Sequence, residues 1–390
     1  MKSNQRKILH AISGGVDSIT GAFLLKKRNF DVQAVYFIIP QGAQPFQENF
    51  FLSQVRARIF TIKKICKRLN IKLDIIDIRK EFNQKIIKHS LEKIKLGQTP
   101  NPCVICNKEM KFKKLLEIAD KKNINLVSTG HYADKTSLKD LMALEKFKNI
   151  NLKKVFSKKE MEDFYFIKKG FDSKKDQSYF LSMLNFKHIK SIVFPLAAYK
   201  KNQIYEIAYK NNLIEKDLKE SKGLCFIKKS FKEFVSANVS PQPGKIVDLN
   251  SRKVLGIVDD LSNYTIGQRK NIQVGQSGPY FVIKKDYQKS ILYVSNIADE
   301  KRLFKDKLLL KVDNFNKLLK IIIDEKMFQL LSVKTRYAQH NEEIKSLELV
   351  CSNLLKINLK DKIRAITPGQ IGAIYLDRKI VLAAGEIQDI

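Results

Sequence analysis

The chain has 390 residues, more than a single hydrophobic core usually contains, so two or three domains are expected. Its 73 Lys and Arg against 40 Asp and Glu give a net charge of +33, which favours a polyanionic partner such as nucleic acid, although compositional drift would also explain a Lys-rich chain. No stretch has the roughly 18 to 20 apolar residues that span a bilayer, the first residues lead into a strand instead of a signal sequence, and the five cysteines do not suggest a disulfide framework. We therefore expect a cytoplasmic protein with no membrane partner.

The first half of the chain alternates between short apolar runs and amphipathic stretches. Strands are predicted at 7–12, 32–39, 73–78 and 126–129. Helices are predicted at 19–25, 55–69 and 112–121. This alternation predicts an α/β domain with a parallel sheet covered by helices. The polar, Lys-rich stretch from Lys139 to Lys159 is interpreted as a mobile surface insertion.

After about Lys229 the pattern changes to short strand-like runs separated by Asn, Asp and Gly. Such runs occur at 256–258, 280–283, 373–375 and 380–382, with a further break near 299–307. The second half is therefore predicted to be mostly β. The expected domains are 1–229, 230–303 and 304–390.

The loop Ser13-Gly14-Gly15-Val16-Asp17-Ser18 lies between the first predicted strand and helix. Its glycines let the backbone approach a phosphate, and its hydroxyls and the helix N-terminal amides are donors for an anion. It lacks the Lys of a Walker A sequence and resembles the loop of enzymes that cleave ATP between the α and β phosphates. Asp17 beside phosphates would have to bind Mg²⁺ or cap the helix. A glycine-rich turn without a ligand would have the same composition.

Two cysteines three residues apart, Cys103 and Cys106, follow a proline-rich approach. On one helical turn they would face the same side, and a helix start among lysines would lower their pKa and favour the thiolates. The pattern alone fits a redox pair, metal ligands or coincidence. Cys225 has apolar neighbours and by itself suggests core packing, while Cys66 and Cys351 are interpreted as structural.

The order of these motifs resembles that of the tRNA-specific 2-thiouridylases, enzymes of the PP-loop ATP pyrophosphatase superfamily that install sulfur at C2 of the wobble uridine. The matching segments are 13–18, 101–112, 130–133, 175–181, 223–227, 264–270, 334–337 and 367–370. The resemblance therefore spans nearly the whole chain. It implies a parallel-sheet PP-loop domain (adenine nucleotide alpha-hydrolase-like), a small, mostly β central domain and a C-terminal β-barrel-like domain that binds tRNA.

The resemblance also implies roles for individual residues. The expected ATP contacts are Ala11, Ile12, Ser13, Gly14, Gly15, Val16, Asp17, Ser18, Phe37 and Gly130. The expected contacts to the target base and the rest of the tRNA are Asn101, Pro102, Cys103, His131, Lys175, Asp176, Gln177, Arg336, Tyr337 and Gln370. Cys106 falls at the nucleophile and Cys225 at the persulfide cysteine, with Asp17 and Cys103 as further catalytic candidates. No residue is assigned as a dedicated metal ligand.

The implied reaction uses ATP and Mg²⁺ to adenylate the uridine C2 oxygen, after which persulfide sulfur replaces AMP. A cysteine desulfurase or sulfur-relay protein would supply the persulfide, and the enzyme is expected to be monomeric. The chain departs from the family at Cys103, where many members have Asp, at the long insertion, and at Val258-Asp259. Cys103 raises a competing hypothesis in which the three thiols hold an iron–sulfur cluster. An amide- or guanidine-forming PP-loop ligase would also account for the loop, and a non-enzymatic RNA-binding protein would account for the charge.

Overall fold

The computed structural model describes residues 5–40, 48–147, 155–214, 223–227, 230–272, 274, 279–296 and 301–389, without the side chains at 48–52, 146 and 231. Two compact units make up the chain. The first comprises Met1–Lys85, Cys103–Lys228 and Lys379–Val381, and the second Ile86–Pro102, Lys229–Arg378 and Leu382–Ile390. None of the helices in the described ranges combines the length and hydropathy that crossing a membrane requires.

Twelve short to medium α-helices are found in the described ranges. In chain order they are α1 (Val16–Lys27), α2 (Glu48–Arg68), α3 (Arg79–Phe82), α4 (His89–Lys95), α5 (Pro102–Cys106), α6 (Lys113–Lys121), α7 (Leu138–Met142), α8 (Lys158–Asp163), α9 (Phe186–Ile189), α10 (Lys201–Lys210), α11 (Phe231–Ser236) and α12 (Lys317–Asp324). Two π-helical segments, Asn83–Lys88 and Asn107–Phe112, adjoin α4 and α5.

The first unit is built on a five-stranded parallel sheet. The strands of this sheet are β1 (Lys7–Ala11), β2 (Asp31–Ile38), β3 (Lys72–Asp77), β4 (Leu126–Thr129) and β7 (Ile192–Val193). The unit also contains an antiparallel hairpin of β5 (Ala133–Ser137) and β6 (Tyr165–Lys169), which lies outside this sheet. The sheet order is β3-β2-β1-β4-β7. Buried apolar residues of β1 and β2 pack against α1 and α2, as the apolar spacing of these segments predicts, and against α10, which was not predicted. Because Ala11 pairs with Thr129, the loop after β1 and Gly130 after β4 lie at the same carboxyl edge of the sheet.

The second unit contains two β structures. A four-stranded sheet has the order β10-β11-β8-β9, from β8 (Gly244–Asp248), β9 (Val254–Val258), β10 (Tyr280–Asp286) and β11 (Ile291–Asn296). The remaining strands are β12 (Phe304–Val312), β13 (Leu331–Lys334), β14 (Glu342–Cys351), β15 (Leu354–Arg364), β16 (Ile371–Leu376) and β17 (Ile380–Gln388). They follow the order β12-β15-β14-β13-β16-β17, and β12 also pairs with β17, which closes a six-stranded barrel.

The predicted fold class is confirmed: a parallel-sheet α/β domain, a small β domain and a C-terminal barrel. The domain boundaries stay predictions, and the second unit includes a segment, 86–102, that lies within the predicted first domain. The described parts of the insertion at 139–159 form α7, a 3₁₀ turn and the start of α8, with Leu141, Phe147 and Phe156 buried. Residues 148–154 lie outside the described residues.

Candidate active site

The loop between β1 and α1 is shaped by its serines and glycines. Ser18 Oγ donates to the Gly15 carbonyl at 3.0 Å and accepts from the Ser13 backbone N–H at 3.0 Å. Gly14 has a φ of +84°, a conformation that favours glycine. The helix N-cap is Gly15, which has no side chain to cap α1, so the first amides of the helix are directed to the loop side. This arrangement fits the phosphates of ATP.

Gly130, the residue after β4, allows the closest backbone approach at this site. A Cβ atom on Gly130 would lie 2.8 Å from the Ser18 backbone N and 2.9 Å from the Asp17 carbonyl carbon. Only glycine therefore leaves the start of α1 undisturbed. Among the other predicted ATP contacts, Ile12 and Val16 bury their side chains in the core, so only their backbone is available to a nucleotide.

The Asp17 carboxylate has protein partners that the sequence did not suggest. Lys201 Nζ, from α10, donates to both carboxylate oxygens at 2.7 and 2.8 Å, and the Tyr132 hydroxyl donates to Oδ1 at 2.7 Å. The Lys201 side chain is only 11% exposed. Asp17 therefore does not cap α1, as one interpretation of the sequence had it, and Mg²⁺ at this carboxylate would compete with the Lys201 ammonium.

His10 on β1 supports the loop from inside the domain. Its Nε2 donates to the Ser18 carbonyl at 2.8 Å, and its Nδ1 accepts from Ser128 Oγ at 3.1 Å, since a carbonyl can only accept. The ring is fully buried, and burial lowers the pKa of His10 to about 4, so the ring is neutral at pH 7. The sequence analysis missed His10 because it lies within an apolar run.

The three cysteines predicted to act in catalysis lie in the first unit. They are close enough that charge on Cys225 affects the pKa values of Cys103 and Cys106. Cys106 is buried, Cys103 is half-buried and Cys225 is exposed on a turn. Burial raises the pKa of Cys106 to about 12 and that of Cys103 to about 11. The prediction that the helix start and nearby lysines lower these pKa values was wrong, because desolvation of the thiolates outweighs the cationic neighbour.

That cationic neighbour is Lys111, which the sequence analysis did not single out. It lies five residues after Cys106 in a π-helical segment, whose i to i+5 hydrogen bonding brings such residues closer on one face than an α-helix does. Burial lowers the pKa of Lys111, but interaction with the thiolate forms of Cys106, Cys225 and Cys103 outweighs burial and raises it. Lys111 is therefore positioned to stabilise a thiolate in this cluster.

The thiol region also contains His131 and Asn107. His131 Nδ1 lies 2.7 Å from Thr129 Oγ1, and its ring contacts Phe112 at a centroid distance of 5.8 Å. Burial and the charge of Lys111 lower the pKa of His131 to about 3. Asn107 Nδ2 donates to the Phe180 carbonyl at 3.0 Å, whereas its Oδ1 is buried with no hydrogen-bond partner among the described residues.

Two of the residues predicted to contact tRNA in the first unit are committed to protein contacts. The buried Asp176 carboxylate accepts from the Gly170 and Ser178 amides and from Ser178 Oγ. Gln177 Oε1 accepts from the Tyr132 amide at 2.9 Å. Gln177 thus holds the backbone at Tyr132, and Asp176 holds that at Gly170 and Ser178, while their contact with tRNA stays a prediction.

Three further predicted tRNA contacts, Arg336, Tyr337 and Gln370, lie in the second unit. Arg336 Nη2 donates to the carbonyls of Arg364 and Ala365, and Lys334 Nζ lies 5.6 Å from the ring centroid of Tyr337. Gln370 Nε2 donates to the Thr99 carbonyl at 2.9 Å and lies 3.4 Å from that of Pro100, next to the predicted base contacts Asn101 and Pro102. The Arg336 and Gln370 side chains therefore hold the backbone of their own unit.

The two cysteines interpreted as structural differ in burial, since Cys66 is in the core of the first unit and Cys351 is exposed at the end of β14. In the described part of the chain, no three His, Cys, Asp or Glu side chains are arranged to hold a metal ion.

Comparisons with known proteins agree over the length of the chain. Three family models match, described as a tRNA methyl transferase HUP domain at 6–229, a tRNA methyl transferase PRC-barrel domain at 232–296 and an aminomethyltransferase beta-barrel domain at 308–387. The tRNA-specific 2-thiouridylase MnmA of Mesomycoplasma hyopneumoniae strain 7448 is 35% identical, over 98% of this chain and 96% of that protein. MnmA of Mycoplasma capricolum is 33% identical, over 96% of each.

Similarity to solved structures is weaker. The U34-tRNA thiolase NcsA from Methanococcus maripaludis, solved with its 4Fe–4S cluster, aligns with a TM-score of 0.30 and 18% identity, over 60% of this chain and 65% of that chain.

Proposed function

The chain belongs to the tRNA-specific 2-thiouridylase family, and we propose that it uses ATP to replace the C2 oxygen of the wobble uridine of tRNA by sulfur, releasing AMP and pyrophosphate. One observation carries this proposal. A phosphate-binding loop and three thiols near one lysine occupy the same compact unit. An enzyme that only adenylates has no use for the thiols, and a redox protein has no use for the loop.

Adenylation is needed because the uridine C2 oxygen is a poor leaving group. Attack of that oxygen on the α phosphate of ATP forms an O–P bond and expels pyrophosphate, so that AMP becomes the leaving group. The first amides of α1 and the serine hydroxyls would hold the phosphates, and Lys201 would keep the Asp17 carboxylate neutralised beside them. Mg²⁺, when bound with ATP, supplies further charge neutralisation.

Sulfur would arrive as a persulfide on Cys225, whose exposure gives a cysteine desulfurase or relay protein access to it. In one order of events, the Cys106 thiolate attacks the Cys225 sulfur, and the hydrosulfide released displaces AMP from C2. In the other, the terminal persulfide sulfur displaces AMP first, and Cys106 then attacks the Cys225 sulfur and leaves the outer sulfur on C2. Both orders end in a Cys106–Cys225 disulfide, which a thiol reductant must reopen.

Proton positions follow from the burial of the thiols. With pKa values of about 12 and 11, Cys106 and Cys103 are protonated in the free enzyme at pH 7. Cys106 must therefore lose its proton during turnover, and Lys111 is the cation placed to stabilise the thiolate. Cys103, for which the family resemblance implies Asp in many members, is better suited as a proton donor than as a base.

Pyrophosphate release tests this function against the competing ones. With ATP, Mg²⁺ and tRNA, we expect pyrophosphate release to require tRNA and 2-thiouridine to form when a persulfide donor is added. An amide- or guanidine-forming ligase would ignore tRNA, and a binding protein would release no pyrophosphate. Iron content and visible absorbance of protein purified without oxygen separate a cluster-dependent variant from the persulfide route.

A further inference from the structure

The segment Ile86–Pro102 lies within the first domain in sequence but belongs to the second compact unit. It consists of the end of a π-helical turn, α4, and a loop from Gly97 to Asn101. Its last residue, Pro102, is the first residue of α5, the helix that carries Cys103 and Cys106. Whatever holds this loop therefore also fixes the point at which the cysteine helix begins.

The barrel holds the loop through a reciprocal set of polar contacts. Gln370 Nε2 donates to the Thr99 carbonyl at 2.9 Å, and the Thr99 amide donates to the Pro368 carbonyl at 3.0 Å. Earlier in the segment, Lys93 Nζ forms an ion pair with Glu386 at 2.5 Å. Thr99 is thus bonded through both its amide and its carbonyl to one turn of the barrel.

Two glycines show how closely the loop from Gly97 to Asn101 approaches the rest of the second unit. Gly369, with a φ of +85°, would place a Cβ 2.8 Å from Gln98 Cβ and 3.0 Å from the Thr99 backbone N. Gly97, with a φ of +76°, would place a Cβ 2.7 Å from the ring of Tyr287. The loop is therefore enclosed by the barrel turn and by Tyr287, which follows β10, with no space for a side chain at either position.

We propose that Gln370 is a positioning residue, which holds the loop from Gly97 to Asn101 in place and so sets the start of the cysteine helix. This role goes beyond the direct tRNA contact that the family resemblance implies for Gln370. Its side-chain nitrogen is already used on the Thr99 carbonyl in the free protein, so the bond can act before any tRNA is bound. The thiolation experiment for this inference rests on the proposed function, whereas the hydrogen-exchange experiment does not.

Hydrogen exchange in the free enzyme tests the contact itself. In Gln370→Ala and Gln370→Glu, which both lack the donor, we expect exchange of the peptide covering 97–101 to become about threefold to tenfold faster, because one hydrogen bond fewer restrains it. Gln388→Ala is the matched control, since Gln388 Nε2 donates to the Glu386 carbonyl within β17. Tyr287→Phe is a second control, because the Tyr287 hydroxyl is buried with no hydrogen-bond partner among the described residues, while the ring remains. Neither control should change exchange of the loop.

Kinetics then separate positioning from tRNA binding. At saturating tRNA, we expect single-turnover thiolation by Gln370→Ala to be about tenfold slower, with the Kd for tRNA changed less than twofold. Unchanged loop exchange together with a higher Kd and a normal saturated rate would overturn the proposal and leave Gln370 as a tRNA contact. If the wild-type enzyme makes no 2-thiouridine, the proposed function fails, and the exchange result still decides the role of Gln370.

Discussion

The phosphate loop and the thiol cluster share one compact unit but differ in how ready they are for chemistry. In the loop, Ser18 and Asp17 already have their hydrogen-bond partners, and Lys201 supplies a cation beside the carboxylate. In the thiol cluster, Cys106 is protonated and Cys225 lies exposed on a turn. The loop is thus preorganised, whereas the thiol cluster is in a resting state.

This difference suggests that the two half-reactions can be separated experimentally. In the proposed mechanism, adenylation depends on groups that are already in place, so ATP, Mg²⁺ and tRNA should suffice for it. Sulfur transfer by the proposed route depends on removing a proton from a buried thiol and on forming a bond between Cys225 and Cys106. Variants of one region should therefore leave the other largely intact, and the following predictions test that expectation.

The largest effect is expected at the thiols. Replacing Cys106 or Cys225 by Ser removes a sulfur atom that the proposed transfer step needs, so 2-thiouridine formation should fall by at least about a thousandfold. Pyrophosphate release dependent on tRNA should persist at near the wild-type rate, because the loop is untouched. Mass spectrometry of the nucleosides and a pyrophosphate assay measure the two halves. A fully active Cys225→Ser enzyme would sink the proposed route, and Cys351→Ser is the control because that cysteine is exposed on β14.

The second effect concerns Lys201. Lys201→Met leaves the Asp17 carboxylate without its cation beside the proposed phosphate site, so pyrophosphate release should fall by about a hundredfold. The alkylation rates of Cys103 and Cys106 should stay unchanged. Lys200→Met is the matched control, because Lys200 is exposed and lies over the ring of Phe171. Equal losses in both variants would contradict a specific role for the Asp17 pair.

Features of these regions that depend on neighbouring residues could be predicted from the sequence, whereas those that depend on residues far apart in the chain could not. Four of the five strands of the parallel sheet were predicted to within about one residue, because apolar periodicity is a local signal, whereas the two-residue strand β7 and helix α10 were not predicted and α2 begins at Glu48 instead of 55. The Lys201 partner of Asp17 is 184 residues away, and one lysine among 73 basic residues carries no mark of its role. The same holds for the segment 86–102, which lies within the first domain in sequence but is held by the barrel.

The thiols show a second limit. The spacing of Cys103 and Cys106 was sufficient to place them on one helical turn, and α5 agrees with that prediction. The predicted direction of their pKa shifts was wrong, because a helix start and nearby lysines are visible in a sequence, whereas the degree of burial of the thiols is not. His10 was missed for a related reason, since a buried, fully bonded histidine within an apolar strand has no distinguishing pattern.

A smaller effect is expected for Lys111. Lys111→Met removes the cation that favours the Cys106 thiolate, so the pKa of Cys106 should rise further and its alkylation at pH 8 should slow by about threefold to tenfold. Below its pKa the alkylation rate should rise about tenfold per pH unit, since the thiolate is the reactive form. Lys113→Met, a change of an exposed lysine two residues away, is the control. Faster alkylation in Lys111→Met would contradict the assignment.

The smallest effect on activity, and the sharpest on pH dependence, is expected at His10 under the loop. Its pKa of about 4 lies below the ordinary value of 6.5, so the unfolded chain binds a proton that the folded chain does not between those pH values. The contribution of His10 to the free energy of unfolding is therefore present in full above pH 6.5. It decreases by roughly 3 kcal/mol as the pH falls to 4.

His10→Gln keeps a donor for the Ser18 carbonyl but cannot titrate, so its free energy of unfolding should fall less between pH 6.5 and 4 than that of the wild type. At pH 7.5 its KM for ATP should stay within about threefold, because the loop keeps its support. Urea unfolding across this pH range measures the first effect. His131→Gln provides the comparison at the thiol cluster. Because the pKa of His131 is about 3, its contribution to the free energy of unfolding is lost down to about pH 3, about one pH unit lower than that of His10. An unchanged pH profile in His10→Gln would mean that His10 is not held neutral beneath the loop.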